Sequence, residues 1–328
     1  MDTGQKLTEQ ELAKLEKRIF TVYQEAYNGL DATIREYFSK FSERDKEMKA
    51  QLDAGKITEE HYRQWRIAQI GRGKRFEALR DQVAERMTNA NATAVAYVND
   101  ATPGIYSLNR NFAAYTIEQV AGDVGFDIWD EQTVKRLVSE QPELMPYYPE
   151  KRALNRGIDL AYGKKQITAS VTSSILQGRS IKGMADDLQS RITTMNRDSA
   201  IRTARTAVTG AQNAGRLDSY YAAEKMGIKC RKQWMATLDG RTRHSHAMLD
   251  GEIVDNDKKF SNGCRFPGDP NGPPSEIYNC RCTLVSEIEG IDTSGGKRRA
   301  RNQATGRNEL IENMSYAEWA GWKKKNGR

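Results

Sequence analysis

Asp239-Gly-Arg-Thr-Arg-His-Ser-His246 and, further on, Asn279-Cys-Arg-Cys282 are the two phrases on which the reading of this chain turns. They lie in a polar, glycine- and proline-rich stretch from Trp234 to Cys282. That stretch holds two of the three histidines and three of the four cysteines in 328 residues. The remaining two, His61 and Cys230, lie upstream. Such a concentration marks a compact, chemically loaded module near the C-terminus, set apart from a long helical body.

Lys229 to Thr237 and Cys282 to Ile288 have strand-like content, with a turn signal at Asp250-Gly251 between them. Between Asn262 and Pro274 stand Gly263, Pro267, Gly268, Pro270, Gly272, Pro273 and Pro274, which exclude regular structure, so something else must fix this loop. Zinc takes thiolate and imidazole in tetrahedral array, four ligands in a structural site. Cys280 and Cys282 can share one ion if the backbone between them bends, with His246 or His244 adding imidazole and Cys264 a further candidate ligand. The bland reading, thiols buried as small hydrophobes beside a strand, stays open. So does catalysis: a thiolate–imidazolium pair of Cys280 or Cys282 with His246, oriented by Asp239, or a zinc-bound water. No His-Glu-x-x-His phrase supports the last.

Upstream the pattern is helical. Thr8-Glu-Gln-Glu11 reads as a capping box, followed by apolar residues three or four apart from Leu12 to Phe41. That predicts an amphipathic helix of about 30 residues, roughly 45 Å long. A second stripe runs from Phe76 to Val98, and the two stripes bury each other in a hairpin or bundle arm. Thr102-Pro-Gly104 reads as a break, followed by short helices over 105–115 and 133–138. Pro142, Pro146 and Pro149 mark a connector, and helices resume over 152–176 and 198–226. Arg202, Arg205, Thr209 and Asn213 share a face of the last helix, suited to hydrogen-bonding the loops of the module. The expected fold is mainly α with a small α+β C-terminal module. Its parts are a helical domain over 1–149, a second helical part over 150–227, the Cys/His module over 228–292, and a basic linker with a short helix over 293–328.

Composition narrows the partners. Charged residues make up 29% and the hydrophobic set 38%, which favours surface-rich helices over one deep core. Four cysteines do not make a disulfide framework. The N-terminus lacks a secretory plan and no apolar run spans a bilayer, so synthesis in a cytoplasm is expected. Residues 293–328 carry nine Lys/Arg against three Glu, and so hold most of the net charge of +7. Lys297, Arg298, Arg299 and Arg301 are accordingly candidates for contact with nucleic acid phosphates, against the plainer reading of a solvated end.

These residues resemble the phage Mu F-like, or minor head morphogenesis, family. The resemblance is carried by Arg205-Thr206 and Asn213, Trp234, Asp239-Gly-Arg-Thr-Arg243 with His246, and Leu249-Asp-Gly251. It continues through Phe266-Pro-Gly-Asp-Pro270, Asn279-Cys-Arg-Cys282 and Met314-Ser-Tyr-Ala-Glu-Trp319. Upstream, Ile105-Tyr-Ser-Leu-Asn-Arg-Asn111 and Thr133-Val-Lys-Arg-Leu137 are similar to such proteins from phages of Gram-positive hosts. The resemblance implies a minor virion protein in few copies, bound at or near the portal inside the head and associated with head assembly and genome delivery, and the leading expectation is that it is not an enzyme. Further expected partners are scaffolding or major capsid protein and packaged DNA. The family pattern maps onto Asp239, His246, Cys280 and Cys282; Cys264 and His244 are not among its positions. The competing expectation is a zinc- or cysteine-dependent hydrolase carried in the head.

Overall fold

A computed structural model describes residues 2–121, 125–140, 159–289, 297–301 and 308–312. It is mainly helical, with a small antiparallel sheet near the C-terminus. The described helices are α1 (Thr3–Ser39), α2 (Ser42–Asp53), α3 (Glu59–Ile70), α4 (Lys74–Ala121), α5 (Glu131–Glu140), α6 (Leu160–Leu176), α7 (Ile181–Lys225) and two short ones, α8 (His244–Met248) and α9 (Pro274–Ile277). The strands are β1 (Cys230–Met235), β2 (Ile253–Val254), β3 (Thr283–Ile288), β4 (Lys297–Arg301) and β5 (Asn308–Glu312). No described helix is long and apolar enough to cross a membrane.

Two compact units divide the chain, with boundaries inside α1, α4 and α7. One comprises Glu16–Tyr97 and Glu150–Ile201. Its core is the pair of stripes anticipated above, Ile19, Tyr23, Leu30 and Ile34 of α1 with Leu79, Val83 and Met87 of α4, all buried. Tyr23 Oη donates to Asn91 Oδ1, and Asn91 Nδ2 donates to Asn196 Oδ1 at 3.1 Å. Helix α3, which the apolar pattern did not reveal, is capped by Thr58 accepting from His61 N at 3.1 Å. It is docked by Arg66, which pairs with Asp45 at 3.1 Å and donates to the Arg179 carbonyl.

The other unit comprises Met1–Leu15, Val98–Pro149 and Arg202–Arg328. Here the start of α1 differs from expectation. The capping box is Asp2 with Gln5, each bonding the other's backbone N–H at 3.1 and 2.8 Å, so the helix begins two turns before Leu12. Thr8 lies inside it, donating to Gly4 O at 2.8 Å and accepting from Asn109 Nδ2 at 2.7 Å. Helix α4 also runs unbroken through Pro103. Proline removes the hydrogen bond to the Asn99 carbonyl, and Thr102 Oγ1 donates to that same carbonyl at 3.4 Å. Buried Ile105 and Tyr106 continue the apolar stripe across the proline. Three successive polar residues then tie α4 to three neighbours: Asn109 to Thr8, Arg110 to Asp218 at 2.8 Å, and Asn111 to both backbone groups of Trp129.

Helix α7 ends at Gly227, whose φ of +85° permits the bonds Gly227 N to Glu224 O and Ile228 N to Ala223 O. The chain enters β1, the middle strand of the order β2-β1-β3, and the β1–β3 register runs from Cys230↔Ile288 to Met235↔Thr283. The basic segment expected as a linker is strand β4, paired antiparallel with β5 so that Lys297 stands opposite Glu312. The eye reads four Lys/Arg in five residues as solvated chain, but pairing partners lie seven residues on in Asn-Glu-Leu-Ile-Glu. The proline connector and the helix expected around Tyr316–Trp322 lie outside the described residues.

Candidate metal centre

Asn279 holds the turn that aims the Asn-Cys-Arg-Cys phrase. Its φ of +54° makes it the one non-glycine residue with positive φ among those described, a conformation asparagine tolerates better than most. Beyond it the chain runs toward β3, where alternate side chains share a side. Cys280 and Cys282 accordingly converge, and Arg281 between them turns to Asp239. Across from the sulfurs, the short helix α8 buries His246 and leaves His244 exposed. His246 Nδ1 lies 3.6 Å from Cys280 Sγ and 3.5 Å from Cys282 Sγ. One ligand atom from each of the three residues falls within 4.8 Å of the others, and all three side chains are buried.

Two sulfurs and an imidazole nitrogen at this separation can hold a metal ion, and soft thiolates with imidazole suit zinc. The electrostatics fit as well. Burial and the hydrogen bond it donates to Cys282 push the Cys280 thiol up. Contact with Cys280, against burial and with help from the neighbouring His246, lowers Cys282. Trp234, fully buried on β1, forms a wall edge-on to the His246 ring at 5.3 Å between centroids, with Phe260 behind it at 5.1 Å.

Cys264 does not join this group. Its thiol packs against Gly272, where a Cβ would stand 2.6 Å from the sulfur, and burial pushes its pKa up to about 12, the protonated form. Asp239 does not orient His246 either: it accepts both guanidinium nitrogens of Arg281 at 2.5 and 2.7 Å and caps Arg241 N at 2.9 Å. The Gly/Pro loop is fixed by Asp269, the acid of the Phe266-Pro-Gly-Asp-Pro270 phrase. Its carboxylate is buried and accepts from Arg265 N at 2.9 Å and Asn271 N at 3.0 Å, while Arg265 Nε closes over it at 3.2 Å.

The helical support comes from α7. Residues three or four apart face the phrase Asn279–Leu284 and bond its backbone in order. Thr206 Oγ1 accepts from Asn279 N at 3.2 Å and Thr209 Oγ1 donates to Cys280 O at 2.7 Å. Asn213 Nδ2 donates to Cys282 O at 3.2 Å and to Pro267 O at 3.1 Å, and its Oδ1 accepts from Leu284 N at 2.8 Å. Arg216 Nη1 donates to Leu284 O at 3.0 Å while Asp2 holds its guanidinium by two contacts of 2.8 Å. Asn213 thus acts as anticipated. Arg202 and Arg205 are exposed on the preceding turns, and Arg216, which the sequence pattern did not single out, serves the backbone at Leu284. Close approach is allowed by Gly268, φ +79°, where a Cβ would meet Gly210 N at 2.8 Å.

Residues 165–285, which contain this helix face and all three metal-ligand candidates, match the profile of the phage Mu protein F like proteins. Over that segment the chain is phage Mu F-like. Its likeness to the minor head protein GP7 of Bacillus phage SPP1 reaches well past that module. The two are 27% identical over 321 residues, 95% of this chain and 94% of that protein. This Mu F-like chain is therefore a homologue of a phage minor head protein. It is also 31% identical over 157 residues to the NAD(+)–arginine ADP-ribosyltransferase EFV of Enterococcus faecalis, covering 47% of this chain but 31% of that protein. An uncharacterized protein of Bacillus subtilis, YqbB, is 31% identical over 126 residues, 36% of this chain and 40% of its own length. No solved structure matches the chain.

Proposed function

We propose that this is a non-enzymatic minor virion protein of a tailed phage. In this reading it is bound to the portal inside the head and takes part in head morphogenesis and genome delivery. The observation that carries the reading is the end-to-end likeness to a minor head protein, over 95% of one chain and 94% of the other. Its Mu F-like module is stapled by one zinc ion on His246, Cys280 and Cys282, three protein ligands where a structural site usually has four. Burial of all three ligands supports a staple over a hydrolytic centre, which must admit substrate and water. The basic strand β4, with Lys297, Arg298, Arg299 and Arg301, offers phosphate contacts to packaged DNA.

Co-expression of the full chain with the cognate portal, followed by size-exclusion chromatography and mass spectrometry of purified particles, tests the assignment. Co-migration with the portal and presence in mature virions are expected; absence from both overturns it. For the staple, zinc content is expected to fall from one equivalent to none in Cys280→Ser and in Cys282→Ser.

A further inference from the structure

Glu276 lies where a metal-bound imidazole needs a partner. It sits on α9, whose neighbouring Ile277 is fully buried, and its Oε2 is 3.1 Å from His246 Nε2. That nitrogen is the far side of the ring from Nδ1, which faces the two sulfurs. Nε2 is itself buried, and although its N–H is not aligned for a hydrogen bond in this arrangement, the Glu276 carboxylate lies beside it at 3.1 Å. A neutral imidazole carries one proton, and the nitrogen that ligates a metal must be the bare one. A carboxylate beside Nε2 keeps the proton there and leaves the Nδ1 lone pair for the ion.

We infer that Glu276 is the positioning residue of the metal centre, holding His246 in the Nε2–H tautomer with Nδ1 aimed at the ion shared with Cys280 and Cys282. The inference rests on the reading of those three residues as a metal site. Glu276 is itself held: Ser245 Oγ donates to the same Oε2 at 3.1 Å, and Asn262 Nδ2 approaches it at 3.4 Å. Its side chain is 15% exposed, so water competes little for the carboxylate. The charges balance around it. A divalent cation with two thiolates is neutral, and the carboxylates of Glu276 and Asp239 are matched by the guanidiniums of Arg243 and Arg281. Arg281 pairs with Asp239, and Arg243 is fixed on the Tyr278 carbonyl. A carboxylate behind a ligating histidine both fixes the ring and raises its basicity, and its loss weakens metal binding.

The test uses the full chain, with zinc affinity read by competition against a chromogenic chelator. Glu276→Ala is expected to bind zinc roughly 10–100-fold more weakly than wild type. Glu276→Gln, which keeps an oxygen acceptor, is expected to recover most of that loss. With cobalt(II) in place of zinc, Glu276→Ala is expected to keep the thiolate-to-metal absorption and shift the ligand-field bands, since the sulfurs stay and the imidazole turns. Wild-type protein that binds no zinc removes the metal-site reading itself. Wild-type binding with unchanged affinity in Glu276→Ala overturns the role of Glu276 alone. So does a Glu276→Ala protein whose metal-free melting temperature falls while its zinc affinity holds, because that pattern belongs to a packing residue.

Discussion

Asn213→Ala removes the side chain on which the Asn279–Leu284 phrase is most dependent. The residue is fully buried, and beyond its own helix it makes three bonds to backbone groups, with Pro267 O, Cys282 O and Leu284 N. Leu284 is itself fully buried, so its amide cannot turn to water. An orphaned buried donor costs about 1–3 kcal/mol, and each carbonyl bond lost about 0.5–1.5 kcal/mol. The sum runs from about 2 to about 6 kcal/mol, with the amide as the largest part, and a loss of about 3 kcal/mol is expected. Because the chain comprises two compact units, one unfolding curve would mix them, and the local measure is native-state hydrogen exchange of the β3 amides. At about 1.4 kcal/mol per tenfold, exchange in β3 is expected to quicken roughly a hundredfold. Asn213→Asp keeps the acceptor for Leu284 N but sets a carboxylate against two carbonyls, so it is expected to do no better. A loss below about 1 kcal/mol in Asn213→Ala, with β3 protection unchanged, refutes the view that α7 holds this phrase through its side chains.

Cys264→Ser is expected to keep one equivalent of zinc, since its thiol stands apart from the three converging ligands; loss of the metal returns it to the site. Gly268→Ala asks for a side chain at φ +79° with its Cβ 2.8 Å from the Gly210 amide nitrogen, and is expected to destabilise the module by about 2 kcal/mol or more in thermal unfolding. Burial works to raise the Asp2 carboxyl, but the hydrogen bonds and charge of Arg216 outweigh it and hold it below its ordinary 3.8. A group lowered on folding contributes stability above its unfolded pKa and loses it as pH falls through the folded one. The melting-temperature gap between wild type and Asp2→Asn, both zinc-free, is therefore expected to close below about 3.8; a constant gap removes the linkage.

Periodicity exposed what periodicity governs. The stripes of α1 and α4 and the strands flanking the Cys/His stretch were legible because apolar burial imposes spacings of three to four and of two on the chain. The errors lie where a side chain replaces a backbone partner. Pro103 reads as a break, yet Thr102 takes the carbonyl it frees; Thr8 reads as a cap, yet it bonds Asn109, a hundred residues away. Asp269 sits among glycines and prolines with nothing local to mark its carboxylate as the loop's centre. Arg216 has nothing in sequence to single it out, and only the approach of Asp2 and Leu284 shows its structural part. The converging ligands His246, Cys280 and Cys282 were legible because few other residues of their type compete. Glu276, one of many acids, was not.

The spacing of the two cysteines follows from the helix that supports them. A knuckle with two residues between its thiols turns its backbone inward to present amides to sulfur. Here the thiols are alternate residues, and the backbone between and beyond them is committed to α7, as the bonds from Thr209, Asn213 and Arg216 show. An extended run can satisfy both demands at once, because its side chains alternate while its carbonyls and amides point sideways along the sheet plane. Asn279, the one non-glycine residue with positive φ among those described, is where the chain leaves the turn after α9 on its way to β3. Ligand spacing and the polar face of α7 are therefore one arrangement. A residue inserted between Cys280 and Cys282 shifts every later bond by one position, moving Leu284 off Asn213 and Arg216 while parting the sulfurs. The metal site and the docking of β3 on α7 are expected to be lost together, and neither can be repaired by restoring the other.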